Sequence, residues 1–174
     1  IAVPQGHVAI DPGLGRFKFY PGGAPYLRGS WKPVGTLAQL SVAVAGNYAY
    51  TIDWARDLDV IDISDPAHPV WKAHVGVIGN GMDILIDGLY AYVTMKSGGL
   101  RIFDLSTPTA PVEIGSIKAS PTEDDLALHL CKVGNRVYVA DEKFGVVIYD
   151  VTDPRHPAKL GACPIGFADS VWVE

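Results

Sequence analysis

Cysteine is scarce, with only Cys131 and Cys163 in 174 residues, too few for a disulfide framework or a four-thiolate metal site. Basic residues are also few: 14 Lys and Arg stand against 19 Asp and Glu, giving a net charge of −5 with no basic block. That balance argues against a nucleic-acid surface and against general affinity for anionic membranes. No apolar run approaches the roughly 20 residues that a membrane-spanning helix needs. Cys-x-x-Cys, Gly-x-Ser-x-Gly, the phosphate loop and the dinucleotide fingerprint are all missing, and 3.6-residue periodicity is nowhere sustained. The chain starts at Ile1 and stops at Val171-Trp172-Val173-Glu174, inside a strand-like stretch. A piece of a longer polypeptide, joined to other modules, is therefore expected, with any targeting signal upstream.

What is plentiful is glycine, proline and apolar residues: 19 Gly and 13 Pro accompany a hydrophobic content of 48%. That mixture suits one domain of many short strands joined by tight turns. The run from Leu58 to Pro69, with its Ser64-Asp65-Pro66 turn, returns as Leu100 to Pro111 and as Val146 to Pro157. The segments Val44-Ala45-Gly46-Asn47-Tyr48-Ala49-Tyr50, Ile86 to Tyr92 and Lys132 to Tyr138 precede those runs at constant distance. A period in the low forties signals stacked supersecondary units.

Each unit parses into four strands, A to D. In the first they are Leu40 to Ala45, Tyr48 to Asp53, Leu58 to Ser64 and Val70 to Val75. Gly46-Asn47, Asp87-Gly88 and Gly134-Asn135 are hairpin signals between A and B. The Ser-Asp-Pro-type segments turn C into D, where Asp or Ser bonds its own backbone and proline fixes φ. Strands B and C are apolar at nearly every position, as a sheet covered on both faces requires. Tyr26 to Trp31, Val112 to Ile117 and Ala158 to Cys163 are further D strands.

Four antiparallel strands per unit, stacked face to face, predict an all-β fold: a β-propeller of four-stranded blades. Three blades are full, from residue 25 onward. Residues 1 to 24 are an irregular leading β segment, the end of an upstream module or a degenerate blade, in which Arg16 to Phe19 match Val60 to Ile63. Strand A of a further blade lies at Asp169 to Val173. An open arc of a larger ring is preferred. The alternative is a closed four-bladed ring, with Ser170 to Val173 supplying strand A to a blade built from His7 to Asp11, Arg16 to Phe19 and Tyr26 to Trp31.

The three copies Leu58 to Val70, Leu100 to Val112 and Val146 to Ala158, each preceded by its Gly-Asn-Tyr-Ala-Tyr-like segment, resemble the LVIVD repeat family. The resemblance covers about residues 25 to 174, and Ala9 to Phe19 is similar to a strand found before such propellers. It implies a mostly bacterial or archaeal, secreted or cell-surface β-propeller of six to eight blades, with no defined catalytic residue.

Strand parity sends the D-to-A and B-to-C loops to one face and the A-to-B and C-to-D turns to the other. Variation in length is confined to the first face, where binding is expected. Trp54 and Arg56, with Asp57, Lys96 and Glu142, are its candidate binding residues, because an exposed Trp beside Arg is a typical anchor for a sugar ring or a partner protein. At the inner strands Ser41, Asp83 and His129 share one slot facing the channel. Asp83 and His129, with Asp124, Asp125 and Asp169, could form a polar mouth able to bind a transition metal or run acid–base chemistry. Asp53, Asp57 and Asp59 could hold calcium, but without EF-hand spacing. Asp62, Asp104 and Asp150 recur as turn and strand-edge residues, and Ala110 in the slot of His68 and His156 argues against a shared ligand role.

Cys131 on strand A and Cys163 on strand D of one blade lie about three strand spacings of about 4.8 Å apart, beyond the Cα separation of about 7 Å that a disulfide tolerates. Two free, mostly buried thiols are expected. The reading that emerges is a non-catalytic module, with no resident cofactor, that binds protein or glycan at the cell surface. The alternative is an enzyme or metal-binding propeller acting at the channel mouth.

Overall fold

The computed structural model describes residues 7–11, 16–20, 30–31, 39–54, 57–76, 79–121 and 126–173. Those residues form strands and turns, with no helix among them. Three four-stranded antiparallel sheets follow one another in chain order. The first joins β4 (Gln39–Ala45), β5 (Tyr48–Asp53), β6 (Asp57–Asp62) and β7 (Val70–Gly76). The second joins β8 (Gly81–Asp87), β9 (Tyr90–Met95), β10 (Gly99–Asp104) and β11 (Val112–Ile117). The third joins β12 (Ala127–Val133), β13 (Arg136–Asp141), β14 (Gly145–Asp150) and β15 (Ala158–Cys163). Ahead of them β1 (His7–Asp11), β2 (Arg16–Tyr20) and β3 (Ser30–Trp31) make a three-stranded sheet. Of the D strand expected at Tyr26 to Trp31, residues 26–29 lie outside the described residues.

The hairpins explain the regular register. Gly46, Gly88 and Gly134 have φ of 56°, 60° and 54°, in the left-handed region that a residue with a Cβ enters only at a cost. In the second blade the turn residues are therefore Gly88 and Leu89, one step later than the Asp87-Gly88 expected, because glycine must occupy the first turn position. Ile63, Leu105 and Val151 donate their backbone N–H to the carbonyls of Asn47, Leu89 and Asn135 at 2.8, 2.8 and 2.9 Å. These bonds tie each A-to-B turn to the C-to-D turn of its own blade. On the opposite face Lys96 and Glu142 donate to the carbonyls of Asn80 and Leu126, which holds the B-to-C loop against the start of strand A.

The recurrent aspartates shape turns. Asp62, Asp104 and Asp150 accept from the backbone N–H of Ser64, Ser106 and Thr152 at 3.0, 2.8 and 2.8 Å, so strand C ends at the aspartate and Ser64 belongs to the turn. Asp65 and Asp153 accept from Ala67 and Arg155 at 3.0 Å, and their carboxylates hold Nδ1 of His68 and His156 at 2.8 Å.

The blades cohere through buried apolar faces. Tyr50, Ile52, Leu58 and Val60 of the first pack on Ile84, Ala91, Val93 and Met95 of the second. Tyr92, Leu100 and Ile102 of the second pack on Leu130, Val137, Val139 and Val147 of the third. Each such aliphatic side chain contributes about 1.5–3 kcal/mol when fully buried. Tyr50 also donates its hydroxyl to the Pro108 carbonyl at 3.2 Å, which locks one blade to the C-to-D turn of the next. The cysteines are both free; Cys131 is buried. Cys163 is exposed rather than buried, because the outermost strand of the last blade faces solvent. The four sheets form an open arc: among the described residues, no strand pairing joins β1 to the segment after β15.

Candidate functional site

Two groups of predicted residues come together in space, and they are different places. The first lies along the inner strands. Each strand A carries a bulge near its start, between Gln39 and Ser41, Gly81 and Asp83, and Ala127 and His129. Ser41, Asp83 and His129 therefore occupy the same position in three successive blades. Ser41 Oγ donates to Asp83 Oδ1 at 2.7 Å, and His129 Nε2 lies 3.5 Å from Asp83 Oδ2. The next blade, or for His129 the segment after β15, supplies a backbone donor to each side chain. Ile84 N–H reaches Ser41 Oγ at 3.4 Å, Leu130 N–H reaches Asp83 Oδ2 at 3.2 Å, and Val171 N–H reaches His129 Nδ1 at 3.4 Å. The donor is always the residue after the ladder position, which sets Ser170 in the corresponding place after the third blade, next to the Asp169 named for the polar mouth.

This ladder borders a groove of about 510 Å³ that also touches Lys132, Trp172 and Val173. Its chemistry is mainly structural. Accepting at Nδ1 fixes the His129 proton on Nε2, facing Asp83. The order is Ser–Asp–His, so the serine proton goes to a carboxylate and not to the imidazole that would activate a nucleophile. Among the described residues no group of three or more His, Cys, Asp or Glu side chains is placed to hold a metal ion. Asp59, one of the candidate calcium ligands, accepts from the Trp71 indole N–H at 2.9 Å.

The second group lies on the B-to-C loops. Trp54 follows β5 and is 41% exposed, and the Lys96 ammonium, from the loop after β9 of the next blade, sits 5.6 Å from its ring centroid. An ammonium over an indole is a cation–π contact worth about 0.5–1 kcal/mol at an exposed site. Arg56 and Asp125, with Asp124, lie outside the described residues. Asp57 opens β6, its backbone opposite Gly76. Glu142 is held through its backbone to Leu126, and the loop it belongs to is organised by Asp141. That fully buried carboxylate accepts from the backbone N–H of Lys143, Phe144 and Leu126 at 2.8, 2.9 and 3.0 Å. The sequence singles out neither Asp141 nor Trp172 as a site residue, and Ser170 only as the start of a closing strand. Asp141 does carry a register signal, since it stands where Asp53 stands in the first blade.

The repeats decide the family. The LVIVD repeat matches at residues 39–76, 78–119 and 131–164, one match per four-stranded sheet. This chain belongs to the LVIVD repeat family. The blades described above are thus LVIVD units, and the fold is a β-propeller arc. The crystal structure of the computationally designed Ika8 protein is similar to the whole chain with a TM-score of 0.76 at 12% identity. The LVIVD chain spans about half, 51%, of that protein's length. No curated protein matches the sequence. Among the described residues no helix is long and apolar enough to cross a membrane.

Proposed function

We propose that this LVIVD arc is a non-catalytic binding module of a secreted or cell-surface protein, engaging a glycan or protein partner through the face that carries its D-to-A and B-to-C loops. One observation carries the reading: the exposed Trp54 indole is flanked across a blade boundary by the Lys96 ammonium. An apolar ring face beside a hydrogen-bond donor suits a sugar ring, which offers C–H groups on one face and hydroxyls at its edge. The opposite face is occupied by turns whose carboxylates are already bonded to their own backbone.

The rival reading, acid–base or metal chemistry at the channel mouth, draws on the approach of His129 to Asp83. The ladder hydrogen bonds give both residues a structural task, and for that reason we place the rival second. A glycan array probed with the 174-residue protein and with Trp54→Ala tests the primary reading. The expected result is a glycan retained by the first and lost by the second, both folded by circular dichroism. Absence of any bound glycan, or binding indifferent to Trp54→Ala, would contradict the sugar assignment, with a protein partner then sought by crosslinking from position 96.

A further inference from the structure

We infer that the sugar taken at Trp54 is acidic, a pyranose whose ring carries a carboxylate, and that Lys96 is the residue that selects it. The inference rests on the reading of Trp54 as a sugar platform and adds to it the charge of the ligand.

The backbone sets the two side chains together. Both flank the stretch Gly79 to Gly81 that leads into β8, and each springs from a loop packed on one of those glycines. A Cβ at Gly81 would lie 2.9 Å from the carbonyl oxygen of Asp53, the residue before Trp54. A Cβ at Gly79 would lie 3.2 Å from both the Gly98 nitrogen and Met95 Cβ, on either side of Lys96. Glycine is what lets the chain pass between the two loops so closely. The turn that carries Lys96 is fixed in its own right. Gly98 donates its N–H to the Met95 carbonyl at 3.0 Å, Lys96 donates its own to Asn80 at 2.7 Å, and Arg101 Nε donates to the Gly98 carbonyl at 3.2 Å. The root of the lysine therefore stands in a set relation to the indole before any ligand arrives, which lowers the ordering cost of binding.

The Lys96 ammonium has charge to give. Lys72 lies 3.2 Å from Asp62, Arg101 lies 2.8 Å from Glu113, and Lys132 pairs with Asp87. Among the described residues no carboxylate accompanies Lys96 in that way; its head group meets the Trp54 ring. That contact uses none of its three N–H donors, and at an exposed site it is weak enough to yield to a charge-assisted hydrogen bond as the flexible stem swings the head to the ring's edge. With a net charge of −5 the protein repels anions at a distance, so an acidic ligand gains only from a local cation such as this one. The ammonium is 5.6 Å from the ring centroid, at the rim of a pyranose stacked on the indole. A carboxylate joined directly to a ring carbon lies in that rim, whereas a sulfate ester is carried one bond further out. The chemistry favours a hexuronic acid.

Calorimetric titration of the 174-residue protein tests this, with tetrasaccharides of galacturonic, glucuronic and mannuronic acid, their methyl esters, and sulfated tetrasaccharides of the parent neutral sugars. The expected result is an acid bound about fivefold more tightly than its ester, which is what one exposed ion pair supplies. That ratio should fall to about one in Lys96→Gln, persist in Lys96→Arg, and shrink as salt rises from about 0.05 to 0.5 M; Trp54→Ala should lose acid and ester alike. Equal affinity for acid and ester, or a preference for the acid that survives Lys96→Gln, overturns the inference and leaves the sugar reading of Trp54 standing. A preference for the sulfated sugars overturns the carboxylate. Binding of none of them overturns the inference together with the reading it rests on.

Discussion

Val171 donates its backbone N–H to His129 Nδ1 at 3.4 Å, repeating one blade later what Leu130 does to Asp83 at 3.2 Å. The inner strands are thus stitched by one polar position per blade, and Asp83 is its busiest member, with Ser41, Ile84, Leu130 and His129 around it.

Removing that carboxylate should be costly. Asp83→Ala leaves two interblade donors without their acceptor, and a hydrogen bond to a charged group is worth about 1.5–3 kcal/mol. Urea unfolding should show a loss of ~2 kcal/mol. A loss below ~0.5 kcal/mol would mean that water replaces the ladder.

Tyr50 carries a second interblade bond, to Pro108, and burial, with Tyr48 beside it, pushes its phenol up to about 12. Tyr50→Phe should cost ~1 kcal/mol at neutral pH. A phenol whose value is raised on folding contributes stability that is fully present below its unfolded value of about 10 and is lost as pH rises toward 12. Urea midpoints should therefore fall between about pH 10 and 12, with Tyr92, raised to about 12 mainly by burial, adding to the fall. The Tyr50→Phe/Tyr92→Phe protein should lose this alkaline slope.

The turn aspartates have the opposite sign. The hydroxyls of Ser64, Ser106 and Thr152, followed by their backbone amides, hold Asp62, Asp104 and Asp150 below the ordinary value of 3.8. Their contribution is present above that value and lost as pH falls through the lowered ones. Stability should decline below about pH 4, and substituting Asn at all three positions should flatten the decline. An unchanged acid limb would remove these turns from the account.

Gly115 marks a close approach of one blade's strand to the backbone of the next. A Cβ there would lie 2.1 Å from the Pro154 carbonyl oxygen, a backbone atom that cannot turn aside. Gly115→Ala should destabilise by about 1–3 kcal/mol, the usual cost of overpacking, measured by thermal unfolding. Gly161→Ala, with open space at its Cβ, is the matched control.

The repeat made most of the architecture legible. Because Tyr48 to Asp62 recurs at constant spacing, strand order, loop parity and the hairpin positions could all be counted from residues, and Asp83 and His129 could be set in one slot before their 3.5 Å approach was seen. The chemistry of that slot was not legible. Whether Asp83 meets a ligand or the next blade depends on the rotation between blades, which no local pattern encodes. The contact of Lys96 with Trp54 is hidden for the same reason, since it joins loops of neighbouring blades 42 residues apart in the chain. Cys163 was misjudged because apolar patterning marks a strand but not whether another sheet lies beyond it.

The claim on which the rest depends is that the interblade ladder runs on through Val171, whose N–H meets His129 as that of Leu130 meets Asp83. Amide hydrogen exchange at Val171, beside Leu130, is its most direct measure. The account predicts a Val171 amide protected at least about tenfold over an unstructured chain and deprotected in His129→Ala, with Leu130 losing protection in Asp83→Ala but not in His129→Ala. A Val171 amide that exchanges at the unstructured rate in the unaltered protein would contradict it.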